Sequence, residues 1–194
     1  MPAGHQSQAG RSRVERFLAH LDDLSGGVEP AFLPVPSTHR GLRQLTVMSY
    51  TDLPEPGMLT AITYGLSLAQ HPQWTAGKPE LCISVESTDQ LWAQAVGYIA
   101  EKLRGVCPFC YGDTLNFGEQ IAPESAMTAF VVFAPAVLPV ESYLRIDVGD
   151  DLPITIAGFY PIHDSELSFI HDKGSEEFWG LDWNPYDVRR PSAL

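Results

Sequence analysis

Cys107 and Cys110 stand in a C-P-F-C pair. That is the spacing of a redox dithiol or of half a zinc site. A thioredoxin-type dithiol sits at the start of a helix, whose N-terminal N–H groups lower the pKa of the first thiol. Here the pair follows a helix stop at Gly105, and the next residues, YGDTLNFG, carry two glycines and no amphipathic period. A structural zinc needs four ligands, yet there is no second C-x-x-C and no C-x-x-H, and Cys82 is the one cysteine left to add. His163, Asp164, Glu166 and His171 form a second cluster, but the histidines are eight residues apart. On a helix that is about 12 Å along the axis, too far to share a metal, so capping and surface roles are expected. The hydrolase elbow G-x-S-x-G and the phosphate loops G-x-x-x-x-G-K-[ST] and G-x-G-x-x-G are absent. The acidic pairs Asp150–Asp151 and Glu176–Glu177 are sequence neighbours and give no sign of two carboxylates converging on a substrate. A small thiol-redox or zinc-dependent enzyme using Cys107 and Cys110 is the alternative reading. The expectation is a protein that is not an enzyme, with no cofactor, no metal and dispensable cysteines.

The elements around these residues are legible from periodicity. RVERFLAHLDDLSGG places Val14, Phe17, Leu18, Leu21 and Leu24 on one helical face and ends at Gly26–Gly27. Pro30, Pro34 and Pro36 then suggest an extended connection. LRQLTVMSYT and GMLTAITYGLS read as a strand pair around DLPEPG. PELCISVES is a third strand, with Leu81, Ile83 and Val85 on one face and Cys82, Ser84 and Glu86 on the other. STDQLWAQAVGYIAEKLRG is the clearest helix. Ser87 and Gln90 fit a capping box, Leu91, Trp92, Ala95, Val96, Ile99 and Leu103 form the buried stripe, and Gly105 is the stop. MTAFVVFAP and LPITIAGFYPI are further strands. A last helix is expected from Asp164, as its cap, to about residue 179, with Leu167, Ile170, Gly174 and Phe178 inward. The order predicts one α+β domain with a mixed β-sheet packed with helices. Residues 1–12 read as a disordered lead-in, 13–182 as the domain and 183–194 as a C-terminal tail.

The chain has 194 residues, 12 basic and 24 acidic, and a net charge of −12. That charge argues against non-specific binding to nucleic acid or an anionic membrane, both of which need a cationic face. It suits a basic protein partner. Ten Asp or Glu lie between Asp147 and Asp187, against Lys173 alone on the other side. The start shows no apolar signal core, no run of about 20 apolar residues exists, and three cysteines are too few for a disulfide scaffold. A cytoplasmic, reduced protein is the expectation.

The order of blocks resembles the Suppressor of fused domain family. LTAITYGLS, a Thr-x-Gly-x-Ser strand end, is followed by PELCISVES and then by a helix bearing Trp92. YGDTLNFGE is similar to the family's Gly-Asp block, and GFYPIHDSELSFIHDKGSEEF to its closing Pro-Ile, acidic helix and Lys-Gly pattern. The resemblance runs from about Gln44 to about Trp179. It implies an α+β fold and a binding role without catalysis. Eukaryotic members hold a transcription factor in the cytoplasm by clamping a short peptide between this domain and a second one. This chain has no room for the second, so it looks like the short bacterial form, some of which are proposed immunity partners of secreted toxins. The resemblance implies Asp113 and Gly112 as partner-binding residues, with Tyr98 as a match to a partner-facing tyrosine. The partner implied is a protein, with a basic toxin domain as one form of it.

Overall fold

The computed structural model describes residues 10–194. The expectation for the first residues falls mostly on 1–9, which lie outside the described residues. Ser12 caps the first helix, α1 (Arg13–Ser25), and pairs with Glu15 in a reciprocal capping box. Phe17 and Leu21 are its buried anchors, whereas Val14 is exposed.

Seven strands form one sheet: β1 (Ala31–Val35), β2 (Leu45–Thr51), β3 (Leu59–Tyr64), β4 (Lys78–Val85), β5 (Thr114–Asn116), β6 (Ala129–Phe133) and β7 (Ile154–Ile162). Their order is β1-β2-β3-β4-β7-β6-β5. β4 and β7 are parallel and every other pair is antiparallel, so the mixed α+β architecture expected from the sequence is found. The central strands are covered on both faces, which is why β4 and β7 are buried almost throughout. Leu81, Ile83 and Val85 pack with Trp92, Ala93, Val96 and Ile99 of α2 (Leu91–Leu103). Cys82 points the other way, into a cluster with Phe17, Leu21, Ile154 and Ile156. Further helices are α3 (Val140–Tyr143), α4 (Asp164–Lys173) and α5 (Ser175–Trp179). Leu167, Ile170 and Phe178 cover a third cluster over Ala129, Val131, Tyr160 and Ile162. None of the described helices is long and apolar enough to cross a membrane.

Several local expectations are corrected. β1 is a strand in the segment expected to be a proline-rich connection, held by pairing to β2 from Ala31↔Ser49 to Val35↔Leu45. Pro34 is tolerated there because β1 is an edge strand. β5 was not expected either, and it forms by pairing with β6. The Ser87–Gln90 capping box is absent. The Asp89 carboxylate accepts from the Leu91 N–H at 2.9 Å instead, and the Ser87 hydroxyl donates to Glu124. Leu91 is 38% exposed rather than part of the stripe. The last helix is two, divided at Gly174, and its N-cap position is His163, with Asp164 the first helical residue.

α2 lies close to the sheet because position 97 has no side chain. A Cβ on Gly97 would stand 2.7 Å from Val47 Cγ2 and 2.9 Å from Val35 Cγ2. Residues 183–194 are bound to the fold. The Arg190 guanidinium pairs with Glu166, its Nη2 donating to Oε2 at 2.9 Å, and the Ala193 N–H donates to Oε1 at 2.8 Å. Arg189 pairs with Glu124.

Candidate binding surface

α2 ends with the Val106 and Cys107 N–H groups both donating to the Leu103 carbonyl. The chain then makes the loop that carries the cysteine pair and reaches Asp113. Four contacts fix this loop. The Asp113 Oδ2 accepts from the Cys110 N–H at 2.8 Å and lies 3.9 Å from the Cys107 thiol. The Gly112 N–H donates to the Val132 carbonyl at 2.9 Å, and the Val132 N–H returns a bond to the Asp113 carbonyl at 2.8 Å. Together they extend the β5–β6 ladder by one step, beyond Thr114↔Val131. Gly112 has φ +93°, and a Cβ there would sit 3.1 Å from the Ser175 hydroxyl. Glycine lets the turn press against the start of α5. Asp113 is therefore a loop anchor, half-buried.

Tyr98 projects from α2 and is 52% exposed. Its ring meets Phe117 edge-to-face at 6.1 Å, and the Lys102 ammonium lies 5.6 Å from its centroid. Asp113 precedes β5 and Phe117 follows it. The strand rise of about 3.3 Å per residue puts those two positions roughly 13 Å apart. The structure thus sets Tyr98 and Asp113 at opposite ends of β5, with separate contacts. A second exposed aromatic group, not expected from the sequence, flanks the turn. Tyr111, 48% exposed, meets Phe133 at 5.4 Å, and Phe133 meets Trp179 at 4.7 Å. The signal was the period of β6: Phe133 continues the face of Ala129 and Val131 to the strand end. Asp172, Glu176, Glu177 and Asp182, on or next to α4 and α5, are all exposed.

The cysteines are free thiols. Burial raises all three pKa values: Cys107 to about 11, with the Asp113 charge adding to it, Cys82 to about 12, and exposed Cys110 upward as well. A nucleophilic or metal-binding sulfur needs the opposite shift. Among the described residues no three His, Cys, Asp or Glu side chains gather as a metal site. His163 and His171 have separate partners, the Arg190 carbonyl at 3.1 Å and the Thr114 hydroxyl at 2.8 Å.

Two of the blocks that carried the resemblance meet in the interior. Fully buried Glu80 accepts from the Thr63 hydroxyl at 2.6 Å, from the Gly65 and Ser67 N–H groups at 2.8 and 3.1 Å, and from the Leu66 N–H and Ser67 hydroxyl. The Thr-x-Gly-x-Ser strand end and the Pro-Glu-Leu strand are thus two halves of one buried knot. Its work is to fold the chain.

A family model described as Suppressor of fused protein (SUFU) matches residues 41–191. No curated protein matches the sequence. Among solved structures, the chain is similar to a Suppressor of fused homologue from Neisseria gonorrhoeae FA 1090. The TM-score is 0.72 and the identity 17%, over 93% of this chain and 96% of that one. It is similar to a chain of a Sufu–Fu complex at TM-score 0.71 and 13% identity, over 94% and 92%. For Drosophila Suppressor of Fused the values are 0.70 and 11%, over 99% of this chain and 54% of that one. These likenesses establish the fold.

Proposed function

Because the chain belongs to the Suppressor of fused family, we propose that it binds a protein partner stoichiometrically and performs no covalent chemistry of its own. The observation that carries this reading is the exposed aromatic side chains around β5, Tyr111 with Phe133 beside the Gly112–Asp113 turn and Tyr98 toward the other end of the strand. Such rings supply large contact areas and are enriched in interface hot spots. A solved protein of the same fold is found in a complex, Sufu–Fu, which supports the reading by analogy of fold.

The finer reading is that of an immunity protein: a cytoplasmic binder that neutralises a basic toxin domain. Its support is the charge of −12 and the exposed Asp151, Glu176 and Glu177. These steer a cationic partner, and steering acts on the association rate and weakens with salt. Asp150 is partly spent within the molecule, on Arg13 at 2.8 Å. Asp113, which holds the loop, acts on dissociation.

The experiment is a pull-down from the source cell, followed by binding kinetics at low and high salt. Asp113→Ala is expected to speed dissociation, while the Glu176→Gln, Glu177→Gln double variant slows association at low salt. An association rate indifferent to salt would refute steering, and a folded Asp113→Ala protein that binds like the parent would remove Asp113 from the surface.

A further inference from the structure

Beside the Cys107–Asp113 loop runs a groove of about 410 Å³. Trp74, Pro79, Phe109, Tyr111, Leu144 and Arg145 line it, together with small and uncharged residues. We propose that this groove takes an extended segment of the protein partner, seating an apolar side chain among the rings and a carboxylate against Arg145. The protein nature of the occupant rests on the binding function proposed above.

Three independent observations converge here. The first is charge. Arg145 is the one charged residue among those lining the groove, and its guanidinium has no hydrogen bond or ion pair among the described residues. In a chain with twice as many acidic as basic residues, this exposed arginine is left unpaired at the edge of a groove whose other lining residues are uncharged. Arg145 also borders a second cavity, with Asp23, Glu141 and Asp147, but it pairs with none of these acids, and Asp147 lies 3.7 Å from Arg16. A guanidinium pairs best with a carboxylate, in a two-pronged contact.

The second is backbone geometry. Three non-glycine residues among those described have positive φ: Asp52, Phe109 and Arg145. Two of the three line this one groove, with φ of +55° and +56°. A bulky residue in that region is an outlier. Such backbone persists where the surroundings over-determine it, and it clusters at functional sites.

The third is shape. The walls are pinned. The Trp74 indole N–H donates to the Pro108 carbonyl at 3.0 Å, Phe109 is buried, and the Cys110 N–H is held by Asp113. The rim is open, since Tyr111 and Leu144 are both well exposed. A rigid, apolar, open channel suits an extended chain better than a small molecule, which a closed cavity would surround.

The test uses the full-length protein labelled with nitrogen-15 and three probes: the blocked peptide acetyl-Gly-Leu-Phe-Glu-Gly-amide, its Gln isostere, and 4-phenylbutyrate as a free aromatic carboxylate. The Glu peptide is expected to shift the Trp74 indole and Arg145 Nε–H resonances and to bind roughly three- to fivefold tighter than the Gln peptide. Arg145→Gln should abolish that difference. Arg145→Gly, which relieves the positive φ, should abolish it too without lowering the Tm. Equal affinity of the two peptides, or silence at Trp74, would overturn the inference. So would phenylbutyrate matching the peptide, which would make this a small-molecule site, or an Arg145→Gly variant that melts lower. If the pull-down finds no partner while the titration succeeds, the proposed function fails and the groove stands. The reverse result removes the groove alone.

Discussion

Glu80→Gln tests whether the buried knot between β3 and β4 holds the fold together. The Glu80 carboxylate faces five donors from Thr63, Gly65, Leu66 and Ser67. No cation pairs with it among the described residues, and Arg13 stands one link away, with Nη2 donating to the Ser67 hydroxyl at 2.6 Å. Glutamine keeps the shape and one oxygen. That oxygen can serve the Gly65 and Ser67 donors, but the new amide N–H groups then point at the Thr63 hydroxyl and the Leu66 N–H. Thr63 can turn its oxygen toward the amide. Its oxygen then accepts from the amide as well as from the Leu81 N–H at 2.9 Å, and its O–H has lost the carboxylate oxygen that accepted it. The Leu66 N–H is left without any acceptor. Two buried donors stranded at about 1–3 kcal/mol each give a cost of about 2–6 kcal/mol, a large share of a domain stability of about 5–15 kcal/mol. Equilibrium urea unfolding measures it, with the m-value as control, since an unchanged slope means that the same surface is exposed. Glu86→Gln, at an exposed position, should change stability by less than about 0.5 kcal/mol. If Glu80→Gln behaves like Glu86→Gln, the knot does not stabilise the fold.

Three more outcomes are expected. Ile99→Ala should cost roughly 2–5 kcal/mol in the same assay, since Ile99 is buried in the main cluster, while half-buried Leu103→Ala should cost less; equal costs would contradict the packing described. Burial raises the Glu166 pKa, but hydrogen bonds from Arg190, Ala193 and His163 outweigh it and hold the group below its ordinary 4.5. The unfolded chain therefore takes the proton first, so this stabilisation is complete above about pH 4.5 and lost as pH falls through the folded value; Glu166→Gln should flatten acid denaturation there, and an unchanged profile would remove Glu166 from it. Alkylation of Cys110 in the native protein should keep accelerating above pH 9 while buried Cys82 stays unmodified, and a rate plateau below pH 8, read by mass spectrometry, would show a thiolate that the geometry does not support.

Much of the architecture was determined by the sequence alone, because the signal is local. The alternation of Leu81, Ile83 and Val85 with Cys82 is the two-sided burial of β4 itself, and Phe17 with Leu21, or Trp92 with Val96 and Ile99, follow the helical period that any amphipathic surface must obey. Tertiary structure decided what depends on a partner far along the chain. β1 and β5 are strands because β2 and β6 supply their hydrogen bonds, and neither segment carries enough alternation to announce it. Ser87 leaves the helix cap because Glu124, 37 residues away, takes its hydroxyl. The Thr63, Gly65, Ser67 and Glu80 motifs were visible as words, but their meeting in one buried knot required the strands to pair. The cysteine spacing was equally visible, but the burial and the neighbouring Asp113 charge that raise the Cys107 pKa were not. The groove was the least legible feature. Trp74, Phe109 and Arg145 come from three loops, and loops meet where the sheet brings them, a geometry that no periodicity of side chains encodes.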